Sequence, residues 1–185
     1  AGLGKLQNRG YDSVGISLIK DNNILTTKFA SSDINDSWSV LNNDMINKDI
    51  DSHIGIGHTR WATHGAKTIN NAHPHSDNKN RISLVHNGII ENYMDLKNVL
   101  KNKNYVFHSQ TDTEVIAVMI GSFMDEGLDI NASINRTISL LKGTWALCII
   151  YNDEPSSMWV ARNGSPLLLG IEEEYVMVSS ENIGF

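Results

Sequence analysis

Two spacings of apolar residues occur along this chain, and each predicts a different kind of element. Short apolar or alternating runs that are bounded by turn residues are typical of strands. A turn at "DNN" separates the first two of these runs. The predicted strands are "VGISLIK", "ILTTKF", "HIGIGHTRWA", "RISLVHNGII", "TWALCIIY", "SMWVAR", "PLLLGI" and "YVMVSS".

Apolar residues three and four positions apart predict helices with one buried face. The segment "LGKLQNRG" has the character of the tail of a helix that ends at Gly10. Gly127 and Gly143 are expected to end the last two helices, because glycine readily takes the left-handed conformation found after a helix. The predicted helices after that tail are "DINDSWSVLNNDMI", "NYMDLKNVLKNKN", "TEVIAVMIGSFMDEG" and "NASINRTISLLKG".

The order of these elements predicts an α+β fold. The links between the last four strands are too short for parallel crossovers, so these strands are expected to pair antiparallel. Strands at both ends of the chain enclose a block of helices, which favours two antiparallel sheets packed together with helices outside. A length of 185 residues suits one domain.

Composition excludes several classes of function. The net charge of -6, from 15 basic and 21 acidic residues, argues against general binding of nucleic acid. No apolar run approaches the length of a membrane span, and no secretory signal is recognisable at the start. A single cysteine excludes an internal disulfide and suits a reducing compartment. We therefore expect a soluble, cytoplasmic protein without nucleic-acid or membrane partners.

The segment "GIGHTRWATHG" at 55–65 concentrates candidate binding residues. The planar guanidinium of Arg60 matches a carboxylate, and the flanking glycines let the backbone approach a ligand. A surface ion pair is the commoner role for an isolated arginine. Trp61 suits a core or lid position, and Thr63 and His64 could cap a turn.

Asn87 and Gly88 form the second candidate site. A side-chain amide beside a glycine N–H can direct two donors at one point, as acyl transfer requires where negative charge develops on oxygen. The commoner meaning of an Asn-Gly pair is a hairpin turn. Both interpretations stay open on the sequence alone.

Asp112 is the third candidate. Thr111 precedes Glu114 by three residues, which is the spacing of a capping box and places Asp112 in the first turn of a helix. The carboxylate could stabilise the helix dipole, or it could point into a pocket and bind an ammonium group. By itself the first interpretation is the stronger.

The histidines and the cysteine give weaker indications of a functional site. His58, His64, His73 and His75 lie close in sequence, but none of the usual zinc-ligand spacings is present, so no metal site is predicted. Cys148 lies in an apolar run without a basic neighbour or a helix N-terminus to lower its pKa. It is therefore expected to be a structural core residue.

Seven motifs occur together in one order: "NRGYDSVGIS", "GHTRWATHG", "NAHPH", "HNGIIENY", "QTDTEVIA", "GTWAL" and "ARNGSPLLLG". They closely resemble the glutaminase (class II glutamine amidotransferase) domains of isomerising glutamine–fructose-6-phosphate aminotransferases. The resemblance covers nearly the whole chain. It implies the N-terminal-nucleophile hydrolase fold, a four-layer α/β/β/α sandwich of two antiparallel sheets, here without its first strand.

The same resemblance implies a role for each candidate residue. Arg60 would bind the α-carboxylate of L-glutamine, and Asp112 its α-ammonium group. Asn87 and Gly88 would form the oxyanion hole. The supporting roles are implied for Trp61, Thr63 and His64 in a loop that closes over glutamine, and for Arg9 beside the nucleophile.

One member of that site is missing from the 185 residues. The family's nucleophile is an N-terminal cysteine, whereas this chain begins at Ala1 with a segment that resembles a later part of the family. We expect residues 1–185 to be a glutamine amidotransferase domain truncated at its N-terminus and at its C-terminus. Sugar-isomerase domains are expected to follow Phe185 and to form a homo-oligomer.

The implied activity is hydrolysis of L-glutamine to glutamate and ammonia, without a cofactor. The ammonia would convert fructose 6-phosphate to glucosamine 6-phosphate. Two alternatives stay open. The chain could be the glutaminase domain of another amidotransferase, such as amidophosphoribosyltransferase, or a non-catalytic glutamine-binding module that lacks the nucleophile.

Overall fold

The computed structural model describes Leu3 and residues 12–32, 36–46, 51–61 and 66–182. The predicted helix tail that ends at Gly10 lies outside these residues, except for Leu3. Three of the candidate site residues also lie outside them: Arg9, Thr63 and His64. Within the described part of the chain, no helix combines the length and the apolar character needed to cross a membrane.

Every strand and every complete helix predicted from the described residues is present. The strands are β1 (Ser13–Lys20), β2 (Asn23–Ala30), β3 (Gly55–Arg60), β4 (His75–Ser76), β5 (Ile82–Ile90), β6 (Gly143–Tyr151), β7 (Met158–Asn163), β8 (Leu168–Ile171) and β9 (Val176–Ser179). The helices are α1 (Ser37–Ile46), α2 (Tyr93–Asn102), α3 (Asp112–Asp125) and α4 (Ile130–Leu140), with a short 3-10 helix at Ile69–Asn71. The short strand β4 was not predicted.

The described strands form three sheets in which all neighbours are antiparallel. The orders are β2-β1-β3, β4-β5-β6-β7 and β8-β9. The predicted antiparallel pairing is therefore confirmed for β6 with β7 and for β8 with β9. The chain leaves the four-stranded sheet after β7, where Gly164 has a positive φ of 79° and makes one parallel bridge to Trp145.

The two larger sheets pack face to face. Ile56 of β3 and Val85 of β5 belong to one apolar cluster with Ile19, Ile24 and Ile150. On the other side of the four-stranded sheet, apolar residues of β5 and β6 pack against α3 and α4. Helix α1 contacts β1 and β2. The result is the predicted sandwich of two sheets with helices outside.

Helix α3 is buried along almost its whole length, from Thr113 to Phe123. It lies between the four-stranded sheet and its neighbours α2 and α4. A helix enclosed in this way needs apolar residues on every face, which accounts for the unbroken run "VIAVMI". The predicted stop is confirmed, since Gly127 follows the helix with a φ of 92°. Helix α3 thus holds its first residue, Asp112, at a fixed place beside the sheet.

Candidate active site

A cleft of about 690 Å³ opens beside β3, the edge strand of the three-stranded sheet. Its walls come from β3, β5 and β6, from the start of α3, and from the chain around residues 165–167 and β9. We call this space the central cleft. It is lined by all the predicted site residues that the structure describes, namely Arg60, Trp61, Asn87, Gly88 and Asp112.

Arg60 is the last residue of β3 and is only 6% exposed. The surface ion pair considered from the sequence is therefore wrong for this arginine. Burial lowers the pKa of its guanidinium, while the carboxylates of Asp12 and Asp112 act in the opposite direction. Because arginine stays charged throughout the physiological pH range, Arg60 is a buried cation in the cleft wall that interacts electrostatically with two carboxylates.

Asp112 begins α3, and its place is fixed by the helix cap and by a hydrogen bond to the end of β5. Thr111 caps the helix, and its Oγ1 accepts the Glu114 N–H at 3.4 Å. The Glu114 carboxylate does not return this bond but accepts N–H groups of the loop before the helix. The Asp112 Oδ2 accepts the Ile90 N–H at 2.8 Å and so ties the helix to the end of β5. Asp112 therefore lies in the first turn of the helix, as predicted, and its positioned carboxylate also lines the central cleft.

Asn87 and Gly88 lie inside strand β5, opposite Ala146 and Trp145 of β6. The hairpin-turn interpretation of this pair is therefore wrong. Gly88 has a φ of 135°, and a Cβ atom there would collide with the carbonyl of Thr144. Only glycine suits this position, because other residues rarely take a positive φ and would also need that space.

The Asn87 side chain is anchored on one side only. Its Oδ1 lies 2.8 Å from Nε2 of His58 in β3. Its amide nitrogen Nδ2 makes no hydrogen bond to any other residue that the structure describes. Asn87 lines the cleft, so this amide group is a candidate donor to a bound ligand.

Four imidazoles form a compact group behind these residues, which we call the histidine cluster. His58 and His73 stack with ring centres 4.2 Å apart, and His73 and His75 meet edge to face at 5.0 Å. The backbone N–H of His86 donates to Nδ1 of His73 at 3.4 Å. Burial is the main cause that lowers the pKa of all four imidazoles, that of His58 to about 4. The histidine cluster is therefore neutral at neutral pH.

A family model described as a glutamine amidotransferase domain matches residues 43–185. This match covers most of the chain. The chain belongs to the glutamine amidotransferase domain family.

Three curated relatives of this amidotransferase domain share the name of one enzyme. The glutamine–fructose-6-phosphate aminotransferase (isomerizing) of Clostridium acetobutylicum is 45% identical over 180 residues, which is 97% of this chain and 28% of that protein. The Staphylococcus aureus protein of the same name is 41% identical over 181 residues, or 97% and 29%. A protein of Acanthamoeba polyphaga mimivirus, named as a probable aminotransferase of the same kind, is 44% identical over 189 residues. The match covers 99% of this chain and 30% of that protein. The chain thus spans under a third of the length of these relatives.

Solved structures confirm the predicted N-terminal-nucleophile fold of the amidotransferase domain. The glutamine phosphoribosylpyrophosphate amidotransferase of B. subtilis, complexed with ADP and GMP, superposes with a TM-score of 0.81 at 29% identity. That match covers all of this chain and 39% of the solved one. A class-II glutamine aminotransferase domain protein of Silicibacter pomeroyi shares the fold alone, with a TM-score of 0.60 at 18% identity over 84% of this chain and 73% of that one.

The single cysteine of this amidotransferase domain also lines the cleft. Cys148 lies within β6, opposite Val85 and Val160 of the neighbouring strands. Burial raises its pKa to about 11, so it is a neutral thiol at neutral pH. A thiol in this state is a weak nucleophile, because the thiolate is the reactive form.

Among the described residues, no group of three or more potential metal ligands is placed to hold a metal ion.

Sequence reasoning missed an anchor beside the predicted closing loop of the amidotransferase domain. Trp61 is 56% exposed, so a core role for it is wrong. Beyond residues 62–65 the chain is fixed at Ala66, whose carbonyl accepts from Asn71 Nδ2 at 2.9 Å. Asn71 and Gln110 form two hydrogen bonds with each other. Asn71 Nδ2 donates to Gln110 Oε1, and the backbone N–H of Gln110 donates to Asn71 Oδ1. Asn71 is the first residue of the motif "NAHPH" and Gln110 is the first residue of "QTDTEVIA", and their place in these motifs was the only signal in the sequence.

Proposed function

We propose that the central cleft binds L-glutamine and supports hydrolysis of its side-chain amide. The observation that carries this proposal is the presence of buried Arg60 and positioned Asp112 in one cleft. An amino acid presents one carboxylate and one ammonium group, and this pair is complementary in charge. Arg60 would bind the α-carboxylate bidentately, and Asp112 would accept hydrogen bonds from the ammonium group.

The side-chain amide of glutamine would then lie against Asn87 and Gly88. A cysteine thiolate attacks the amide carbon, a carbon–sulfur bond forms, and the carbonyl electrons move onto oxygen. The Asn87 amide and the Gly88 N–H would stabilise that oxyanion. Collapse breaks the carbon–nitrogen bond, the nitrogen takes a proton and leaves as ammonia, and water hydrolyses the thioester to glutamate.

The proposed nucleophile is a cysteine that precedes Ala1 in the complete gene product. Cys148 is unsuited to the role, because burial raises the pKa of its thiol to about 11. In this proposal residues 1–185 are a glutamine amidotransferase domain with further chain on both sides. Arg9, Thr63 and His64 lie outside the described residues and keep their proposed supporting and loop roles, with Trp61 at the start of that loop.

We further propose that the ammonia converts fructose 6-phosphate to glucosamine 6-phosphate in the cytoplasm. Relatives that bear the name of this aminotransferase are 41–45% identical to nearly the whole chain. Most of the length of those relatives lies outside the match, which leaves room for the sugar-isomerase domains and the homo-oligomer that we propose. The amidophosphoribosyltransferase alternative is supported by structural similarity to a solved amidotransferase. That protein is 29% identical to this chain, which is lower than the identity to the aminotransferases.

The test uses the complete gene product and measures ammonia release from L-glutamine with a coupled assay. Wild type is expected to release ammonia, while Arg60→Ala and Asp112→Asn lose most of this activity. Glutamine binding without ammonia release in the wild type would favour the non-catalytic module. A wild-type protein that neither binds glutamine nor releases ammonia would overturn the proposed function.

The acceptor is tested separately in the same protein. We expect glucosamine 6-phosphate to form when fructose 6-phosphate is supplied with glutamine. Phosphoribosylamine formed from phosphoribosyl pyrophosphate, with fructose 6-phosphate inert, would establish the alternative acceptor instead.

A further inference from the structure

We propose that His58 is a positioning residue that holds the Asn87 side chain with its NH2 group toward the cleft. The inference deepens the proposed glutamine hydrolysis and rests on it. His58 lies on β3, and Asn87 lies on β5 of the facing sheet. Their side chains meet across the space between the sheets, with Nε2 of His58 and Oδ1 of Asn87 2.8 Å apart.

The direction of this hydrogen bond decides the chemistry of the cleft. If His58 Nε2–H donates, the Asn87 oxygen is the acceptor and its NH2 group stays available to a ligand. If Nε2 is unprotonated, the Asn87 amide must turn to donate, and its oxygen then faces the cleft. An oxygen at that point would repel the oxyanion that glutamine hydrolysis generates, so only the first arrangement supports catalysis.

The surroundings of His58 select the first arrangement. Its Nδ1 is buried and has no hydrogen-bond partner among the described residues. The ring is neutral, because burial lowers its pKa to about 4 and outweighs the opposing effects of Asn87 and the His86 backbone. A neutral ring carries one N–H, and a proton on Nδ1 would lack the well-placed acceptor that Asn87 Oδ1 offers to Nε2 at 2.8 Å. Orphaned buried N–H groups are rare, so the proton belongs on Nε2, where Asn87 accepts it.

The ring is also held in place from its other side. His73 stacks on His58 at 4.2 Å, and Lys28 fixes the chain around His73 by donating to the carbonyls of Ala72 and Pro74 at 2.9 and 3.0 Å. His58 therefore cannot follow Asn87 if the amide rotates. The His58–Asn87 hydrogen bond therefore sets the orientation of the Asn87 amide, whose NH2 group is the proposed oxyanion donor.

The kinetic test compares His58→Phe with His58→Gln in the complete gene product. Phenylalanine keeps a flat ring against His73 but cannot donate, whereas glutamine keeps an N–H donor of similar reach. Removal of a whole oxyanion donor costs about 10²–10³-fold in kcat, so we expect about 10- to 100-fold for loss of its positioning. KM for glutamine should change less than about twofold, because Arg60 and Asp112 are untouched. His58→Gln should recover most of kcat.

A double-variant cycle separates positioning from general damage. His58→Phe should cost little further activity in an Asn87→Ala background, since there is no amide left to orient. His53→Phe changes an exposed histidine shortly before the same strand and should leave kcat unchanged. Thermal melts of each variant show whether a loss of activity follows a loss of folding. Equal losses in His58→Phe and His58→Gln, or additive losses in the cycle, would overturn the proposal.

The tautomer provides a readout that does not depend on activity or on a foldable variant. Nitrogen NMR of the wild-type protein labelled with 15N-histidine should show His58 protonated at Nε2 and bare at Nδ1. The reverse tautomer would overturn the proposal even if glutamine is hydrolysed. If the wild type releases no ammonia, the proposed function fails, while the tautomer still reports on the His58–Asn87 bond.

Discussion

The space between the two large sheets has an apolar half and a polar half, and both are built from the same strands. In the apolar half, Ile56 of β3 and Val85 of β5 share a cluster with Ile150. Two residues further along each strand, on the same faces, His58 meets Asn87. Each strand continues its own antiparallel ladder through both halves, so the two halves differ in side-chain chemistry and not in backbone structure.

The two halves are stabilised in different ways. Apolar side chains need only to be removed from water, and many combinations of similar volume achieve this. Buried polar side chains need specific partners, because an unsatisfied donor or charge costs about 1–3 kcal/mol or more. Substitutions in the polar half are therefore expected to reduce activity most. Substitutions in the apolar half are expected to reduce stability most.

The largest expected effect on stability comes from the apolar half. Ile150 is fully buried between the sheets, so Ile150→Ala should lower the free energy of unfolding by about 2–5 kcal/mol through lost burial and a residual cavity. Urea denaturation measures this. Ile150→Val should cost only about 0.5–1.5 kcal/mol. KM for glutamine should stay constant in the folded valine variant, and a large rise would contradict the division into halves.

The largest expected effect on activity comes from Arg60 in the polar half. Arg60→Ala should lower kcat/KM for glutamine about 10²–10³-fold, because a buried charge-assisted pair with the substrate carboxylate is lost. Steady-state ammonia release measures it, with exposed Arg162→Ala as the matched control. A loss below about threefold in Arg60→Ala would show that the carboxylate binds elsewhere.

A third prediction concerns acid. The pKa of each imidazole in the histidine cluster is lower in the folded protein than its ordinary value near 6.5, and that of His58 is about 4. The unfolded chain therefore binds more protons below about pH 6.5, so stability falls as pH drops from about 6.5 toward 4. Each such histidine contributes a slope of up to about 1.4 kcal/mol per pH unit.

Urea titrations at pH 7.5, 6, 5 and 4.5 check this prediction. His73→Gln should fold less stably at pH 7.5 but show a shallower loss of stability on acidification. Exposed His53→Gln should leave the slope unchanged, because this side chain lies outside the histidine cluster. A wild-type protein equally stable at pH 7.5 and 4.5 would contradict the neutral histidine cluster.

The smallest expected effect comes from Cys148, which lies where the two halves meet. Cys148→Ala should change kcat for ammonia release by less than about twofold, because a thiol of raised pKa takes no part in the proposed chemistry. Stability should fall by about 1 kcal/mol for the lost packing of the sulfur. Loss of all activity in a folded Cys148→Ala protein would make Cys148 the nucleophile.

Local patterns accounted for most of the elements. Helix α3 was recognised because its apolar residues and the stop at Gly127 are local features that hold in any context. Strand β4 was missed because a strand of two residues, His75–Ser76, is defined by pairing with Leu84 and Ser83 and has no pattern of its own. Asp112 was placed correctly in the first turn by its capping residues, while its bond to Ile90 could not be foreseen.

By itself, the sequence predicted the order and type of every described element except β4 and the short 3-10 helix, the family, and five candidate residues that meet in one cleft. The tertiary structure alone decided between the strand and the turn interpretations of Asn87 and Gly88, and it alone showed that Arg60 is buried and that four histidines assemble behind them. The physical reason is range. Periodicity and capping act between neighbours in the chain, whereas burial, pKa and the direction of the His58–Asn87 bond depend on groups brought together only by the packing of two sheets.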